Sequence, residues 1–237
     1  MTLRCIWEHN GEDTLLYAEE YPGAYSRGKT LAEASVKMKD EIRLYCYWAG
    51  MALAHSPEVL IVQEKKSDLS VCDADSDVLF DSERQTLTMV EYLKWKALAL
   101  KSAADFEALY QSVPDKAYSP LPERSTFYGP VPRTAEEMYQ HTKKVNDYYF
   151  GEIGIDADHE GTIAECRQRG FALLEQKPDF LLLPVCEGSF AEEWSLRKML
   201  RRFLWHDRIH AKAMWRMASD SFGKQCLENP FFFDAED

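Results

Sequence analysis

Residues 194–217 read WSLRKMLRRFLWHDRIHAKAMWRM, and this stretch decides what kind of fold the chain adopts. Ser195 is placed to cap a helix, because its hydroxyl can accept from a free N–H of the first turn. Beyond it Leu196, Met199, Leu200, Phe203, His206, His210, Met214 and Met217 recur at spacings of three and four. That is one face of a helix running to about Ser219. Two histidines four apart on this apolar row share a side of the helix. They are expected to point into a helical interior rather than to solvent. Asp207, rotated about 100° from His206, is badly placed to join them and suits a supporting role behind them.

Three more helices precede this one. A long pattern from about Ser82 to Gln111 stops near Pro114, and five prolines in 114–132 mark a loop. Thr134 and Glu137 form a capping box that opens a helix to about Phe150, and Thr162 and Glu165 open another to about Glu175. Four helices in residues 83–237 predict an up-down four-helix bundle. On the second of them Ala135, Met138, His141, Val145 and Tyr148 share a row, so His141 is also expected to face inward.

Three imidazoles from two helices suit one divalent ion and leave a coordination position open for water or substrate. Zn, Ni and Fe all accept imidazole, so the ligand type does not fix the metal. A competing reading makes each histidine a core residue hydrogen-bonded to a carbonyl or a tyrosine, and the residues alone do not separate the two. Arg202, one turn before His206, is a candidate contact for an anionic group; the competing and simpler reading is a helix-surface arginine paired with an acid such as Glu193. Trp205, Tyr148, Tyr149 and Trp215 either line a pocket or belong to the core.

Residues 1–67 have a different grammar. Short apolar runs at 3–8 and 14–19 flank the turn His9–Asp13, and 24–27 makes a third strand. Thr30 and Glu33 cap a helix to about Trp48, and the compact run 59–62 suits a buried strand. The order is β-β-β-α-β, so the chain as a whole is expected to be α+β followed by all-α. Between the two parts, residues 68–83 hold six acids and no base. Concentrated like charge favours solvation, so 68–82 is expected to be an acidic, solvated linker. Asp73-x-Asp75-x-Asp77 starts like a calcium loop, but Val78 and Arg84 stand at the positions where glycine and glutamate are needed.

The chain of 237 residues carries 28 basic and 40 acidic side chains, a net −12. That balance argues against a nucleic-acid or anionic-membrane surface. No window is apolar enough to span a bilayer, and MTLRCIWEHN contains no apolar signal core. The six cysteines are scattered without a CxxC pair, which suits reduced thiols in a cytoplasmic protein. None sits at a helix start beside a base, so a cysteine nucleophile has little support. His9, His55 and His159 fall in predicted turns. The tail from Asn229 to Asp234 is apolar enough to dock on the bundle or a partner.

The motif Trp194, Ser195, Arg197…His206, Asp207, His210 resembles the last helix of the DinB-like superfamily of four-helix bundles. His141, in TAEEMYQHTKKV, matches the place of that family's first ligand. The resemblance covers about residues 83–222. It implies a metal held by His141, His206 and His210. It also implies a bacterial, divalent-metal-dependent enzyme that adds a low-molecular-weight thiol to a small-molecule substrate, or performs a related transfer or hydrolysis. Residues 20–48 carry Tyr21-Pro22-Gly23, Ser26, Gly28, Thr30, Glu33 and Ala34, a pattern that resembles the HicB-like module. That resemblance implies a binding module, an alternative role as a non-catalytic antitoxin-like regulator, and a small toxin partner reached through residues 1–67. No DNA-binding helix-turn-helix follows it, however. The exposed edge of its sheet predicts pairing with a second copy.

Overall fold

Strands Thr2–His9 (β1), Thr14–Ala18 (β2) and Tyr25–Gly28 (β3) form an antiparallel meander, and Glu58–Lys66 (β4) returns parallel to β1. The sheet order is β3-β2-β1-β4. The computed structural model describes residues 2–52, 58–73, 75–126 and 129–234; His55 and the side chain of Cys72 lie outside the described residues. Between β1 and β2, Asn10 Oδ1 accepts from the amides of Glu12 and Asp13 and closes the turn. Helix α1, Leu31–Ala49, fills the crossover from β3 to β4. Its Thr30 hydroxyl accepts from Glu33 N, and Gly50 ends it with φ of 64°.

Both faces of the sheet are covered. Leu3, Cys5, Leu16 and Ala18 pack on Ala34, Met38 and Ile42 of α1. On the other face Ile6, Leu15, Tyr17 and Tyr25 meet Val71, Val78, Phe80 and Trp205. This is why all five residues of β2 are buried rather than alternating as in a sheet with one wet face.

Four helices follow: α2 (Met89–Ser112), α3 (Ala135–Gly151), α4 (Ile163–Gln176) and α5 (Leu196–Phe222). The boxes Thr134/Glu137 and Thr162/Glu165 form as expected, and Ser195 accepts from Lys198 N. Helix α2 starts later than the periodicity suggests, because Thr88 and Glu91 make a further capping box and residues 81–84 form a separate 3-10 turn. Helices α2 and α3 each pack on α4 and α5. Two small ribbons, 125–126 with 129–130 and 186–187 with 193–194, complete the described structure. The architecture is α+β, with a mixed four-stranded sheet and five α-helices among the described residues.

The acidic segment departs from expectation: it is not a solvated linker. Val71, Val78, Leu79 and Phe80 are buried, and the first, second and last of these close the second face of the sheet. Three of its six carboxylates are matched to cations: Asp73 to Arg124, Asp77 to Lys65, and Glu83 to Arg201. Counting like charges missed both the apolar residues between them and the partners supplied from elsewhere in the chain.

Helix α5 is the hub. The sheet, α1, the 71–84 segment and three helices surround it, so its polar residues are buried as well as its apolar ones. Arg201 Nη2 donates to Glu83 Oε2 at 3.0 Å. Arg208 and Lys212 both reach Glu41 of α1 at 2.7 Å. Lys198 Nζ donates to the carbonyls of Asp77 and Glu193 at 2.8 and 2.7 Å. A buried charge stripped of water needs a partner of this kind.

The turn Tyr21–Gly23 touches the same helix. Gly23 has φ of +89°, and a Cβ there would stand 2.6 Å from Leu204 Cβ and 2.8 Å from its carbonyl carbon. Tyr45 donates to the Pro22 carbonyl at 2.9 Å and fixes the turn from behind. At the other end Phe231 and Phe233 are buried, with Phe231 stacked on Trp48. The tail therefore docks on α1 and α5. Cys5, Cys46, Cys166, Cys186 and Cys226 are free thiols. No helix among the described residues is long and apolar enough to cross a membrane.

Candidate metal centre

His206 and His210 stand one turn apart on α5, and His141 faces them from α3. The Nε2 atoms of His141 and His206 are 3.1 Å apart. The ring centroids of His141 lie 5.0 Å from His206 and 4.7 Å from His210, and those of His206 and His210 are 4.4 Å apart. One ligand nitrogen from each falls within 4.8 Å of the other two. Bonds of about 2.0–2.1 Å in a tetrahedral site set ligand nitrogens roughly 3.3 Å apart. The His141–His206 pair is already close to that spacing, and the residues present fit a single ion.

The centre does not lie where the periodicity suggests. On α3 the buried row is Ala135, Met138, Tyr139, Thr142, Asn146, Tyr149 and Phe150, because α3 packs on both α4 and α5 and its inward face is centred between them. His141 therefore sits at the exposed edge of that row, whereas His206 is buried. The three imidazoles line a rim between α3 and α5, open on the His141 side.

Protonation favours ligation. Burial, with His210, His141, Arg202 and Arg167 adding to it, holds His206 well below the usual imidazole range. Burial and then His141 push His210 down to about 3. Partial loss of water around its ring, followed by the Lys144 charge, lowers His141. All three rings are neutral near pH 7, the form that binds metal. Tyr149 meets the His206 ring edge-on at 5.9 Å. Among the described residues, Nδ1 of His206 is buried without a hydrogen-bond partner, so packing rather than a carbonyl or carboxylate orients this ring.

Asp207 does not stand behind the histidines; it faces α4. Its carboxylate takes both guanidinium arms of Arg167, with Nη2 to Oδ1 at 3.1 Å, and both side chains are fully buried. Arg202 does not pair with Glu193, which binds Arg84 instead. Its Nη1 donates to the Ser76 carbonyl at 2.8 Å, and its guanidinium lies over Trp205 at 4.7 Å and near the Tyr149 ring at 5.6 Å. Among the described residues no carboxylate comes within ion-pair distance of it. Trp205 belongs to the second face of the sheet, and Trp215 donates to Asp234 at 2.9 Å.

Tyr148 lines a cavity of about 1040 Å³ with Asp147, Glu152, Lys177 and Cys186; the three histidines do not reach it. The remaining described histidines are tied elsewhere. His9 ends β1 rather than lying in the turn, stacks on Trp7 and pairs with Glu64 at 2.9 Å. His159 sits in its loop, 2.8 Å from Asp147. The buried partners Arg167, Glu41 and Glu83 escaped the sequence reading, since each is distant in sequence from the residue it neutralises. No family model, no curated protein and no solved structure matches the chain.

Proposed function

We propose that His141, His206 and His210 hold one divalent metal ion and that the chain is a metal-dependent enzyme acting on a small molecule. The observation that carries this reading is the meeting of three neutral imidazoles from two helices at one accessible rim. The finer fold assignment belongs to the same proposal: a HicB-like module followed by a DinB-like four-helix bundle. The β-β-β-α-β order of residues 2–66 and the placement of the histidines on α3 and α5 support it.

An all-imidazole set suits Zn or Ni, and Fe as a third choice. Bound there, such an ion supplies Lewis acidity that makes a low-molecular-weight thiol, or water, an anionic nucleophile at neutral pH. The chain's own groups do the rest. The exposed side of His141 admits the reactants, and Tyr149, buried and edge-on to His206, backs the core side. Arg202, which makes no ion pair among the described residues although the Glu192 charge acts on it, sets a cation one turn from His206, which suits an anionic group on the thiol or its acceptor.

Metal analysis of untagged full-length protein tests the reading. About one equivalent of Zn, Ni or Fe per chain is expected, with loss of that metal in the His206→Ala/His210→Ala variant. Protein that takes up no metal after Zn and Ni are offered overturns it. Assay of metal-loaded protein with small thiols and electrophiles then separates transfer from hydrolysis.

A further inference from the structure

The four strands of the sheet are not equally used. Strand β4 is its outermost member, nine residues long, and none of its residues is buried, whereas β2 is buried throughout. Its inner edge pairs with β1. Along its outer edge, no backbone group of 58–66 finds a partner among the described residues. Leu60 is 48% exposed on it, and no proline interrupts it. The opposite edge, β3, has four residues and is partly covered where Lys37 of α1 donates to the Arg27 carbonyl. An unprotected edge of this length is a template for another strand.

Charge and register identify that strand. In the β1–β4 pairing Thr2 stands opposite Glu58 and Glu8 opposite Lys65, and the register slips by one residue between Cys5 and Ile6. Thr2 and Glu8 are six apart, so they share a face of the sheet. Glu58 and Lys65 therefore also share a face although they are seven apart, because β4 carries one extra residue, Val62. An antiparallel approach of two β4 edges about a two-fold axis between Ile61 and Val62 sets Glu58 of each copy against Lys65 of the other. The same register puts Leu60 opposite Gln63. Without the bulge the two charges would lie on opposite faces and could not meet.

We infer that the outer edge of β4 is a self-complementary interface through which two copies of this chain join their sheets antiparallel, with Glu58 and Lys65 forming two symmetry-related ion pairs. The interface is isologous, as a two-fold dimer requires. It is independent of the metal centre, which lies between α3 and α5.

Sedimentation velocity of the full chain from about 1 to 100 µM is expected to show monomer converting to dimer. Glu58→Lys brings like charges together twice and is expected to weaken association by at least about tenfold. Lys65→Glu does the same across the interface and also gives up the exposed pair, 3.6 Å long, that Lys65 makes with Asp77 of its own chain, so association is compared among variants of matched urea stability. The double variant exchanges the two charges and restores it. Hydrogen exchange on the unaltered chain provides a reading that needs no substitution: amides of 58–65 gain protection as the concentration rises. A chain that stays monomeric throughout, single variants without effect, a double variant as weak as the singles, or protection that ignores concentration overturns the inference.

Discussion

Arg167 of α4 and Asp207 of α5 form a two-armed ion pair from which water is fully excluded, immediately beside His206 in the chain. Among the described residues, nothing else ties α4 to the helix that carries two of the three metal-site histidines by so strong an electrostatic contact. Removing one partner strands the other charge in the core.

Asp207→Ala is accordingly expected to destabilise the fold by about 3–5 kcal/mol, read from urea denaturation. Its carboxylate hydrogen-bonds to Arg167, not to an imidazole. Metal stoichiometry at saturation should therefore survive in whatever fraction remains folded. Loss of metal from a fully stable Asp207→Ala protein would contradict this assignment.

Glu41 neutralises two cations of α5, Arg208 and Lys212. Burial pushes its carboxyl up, but the two cations overcome that and hold it below the usual range. Glu41→Ala leaves Arg208 buried without its carboxylate, and a loss of about 3–5 kcal/mol is expected. Lys212→Ala, which removes the more exposed partner, should cost much less. Equal losses in thermal or urea unfolding would sink the distinction.

Gly23→Ala tests the seam between the N-terminal sheet and α5. The new Cβ meets backbone as well as side chain of Leu204, at a residue with positive φ. Neither partner can yield cheaply, so a loss of roughly 2–4 kcal/mol is expected. Faster limited proteolysis within residues 1–67 than at α2–α5 would locate the opening at that seam. A stability within error of the parent would show that the turn adjusts freely.

The metal-free protein should lose stability as pH falls. In the fold His210 protonates only at about 3 and His206 also lies far below the ordinary 6.5, whereas both regain ordinary values when unfolded. Between pH 6.5 and 3 the unfolded chain thus binds protons that the native chain refuses, and the equilibrium shifts towards unfolding. Above pH 6.5 these groups contribute no slope. In chelator-treated protein the urea midpoint is expected to drop between pH 7 and 5, and His206→Gln/His210→Gln should flatten that drop. A variant with the parent's full pH dependence would assign the protons elsewhere.

Much was legible in local sequence. The caps at Thr30, Thr134, Thr162 and Ser195 each need only residues three positions apart, so helix starts could be read directly. The i, i+4 spacing of His206 and His210 placed them together for the same reason. His141 was legible as a candidate, but not its position at an exposed rim, since that depends on how α3 divides its face between two neighbours.

Local chemistry along the chain fixes the order of the main strands and helices, the helix caps, the shared row of His206 and His210, and the uneven distribution of acid. Packing settles everything that depends on two distant segments meeting. It turned the acidic stretch 68–83 from a solvated linker into a cover for the sheet, by supplying Arg201, Lys65 and Arg124 as partners. It also buried the charges of α5, which periodicity assigns to a wet face. The physical reason is the same in each case: the cost of burying a charge depends on its partner, and that partner lies from 12 to more than 160 residues away along the chain.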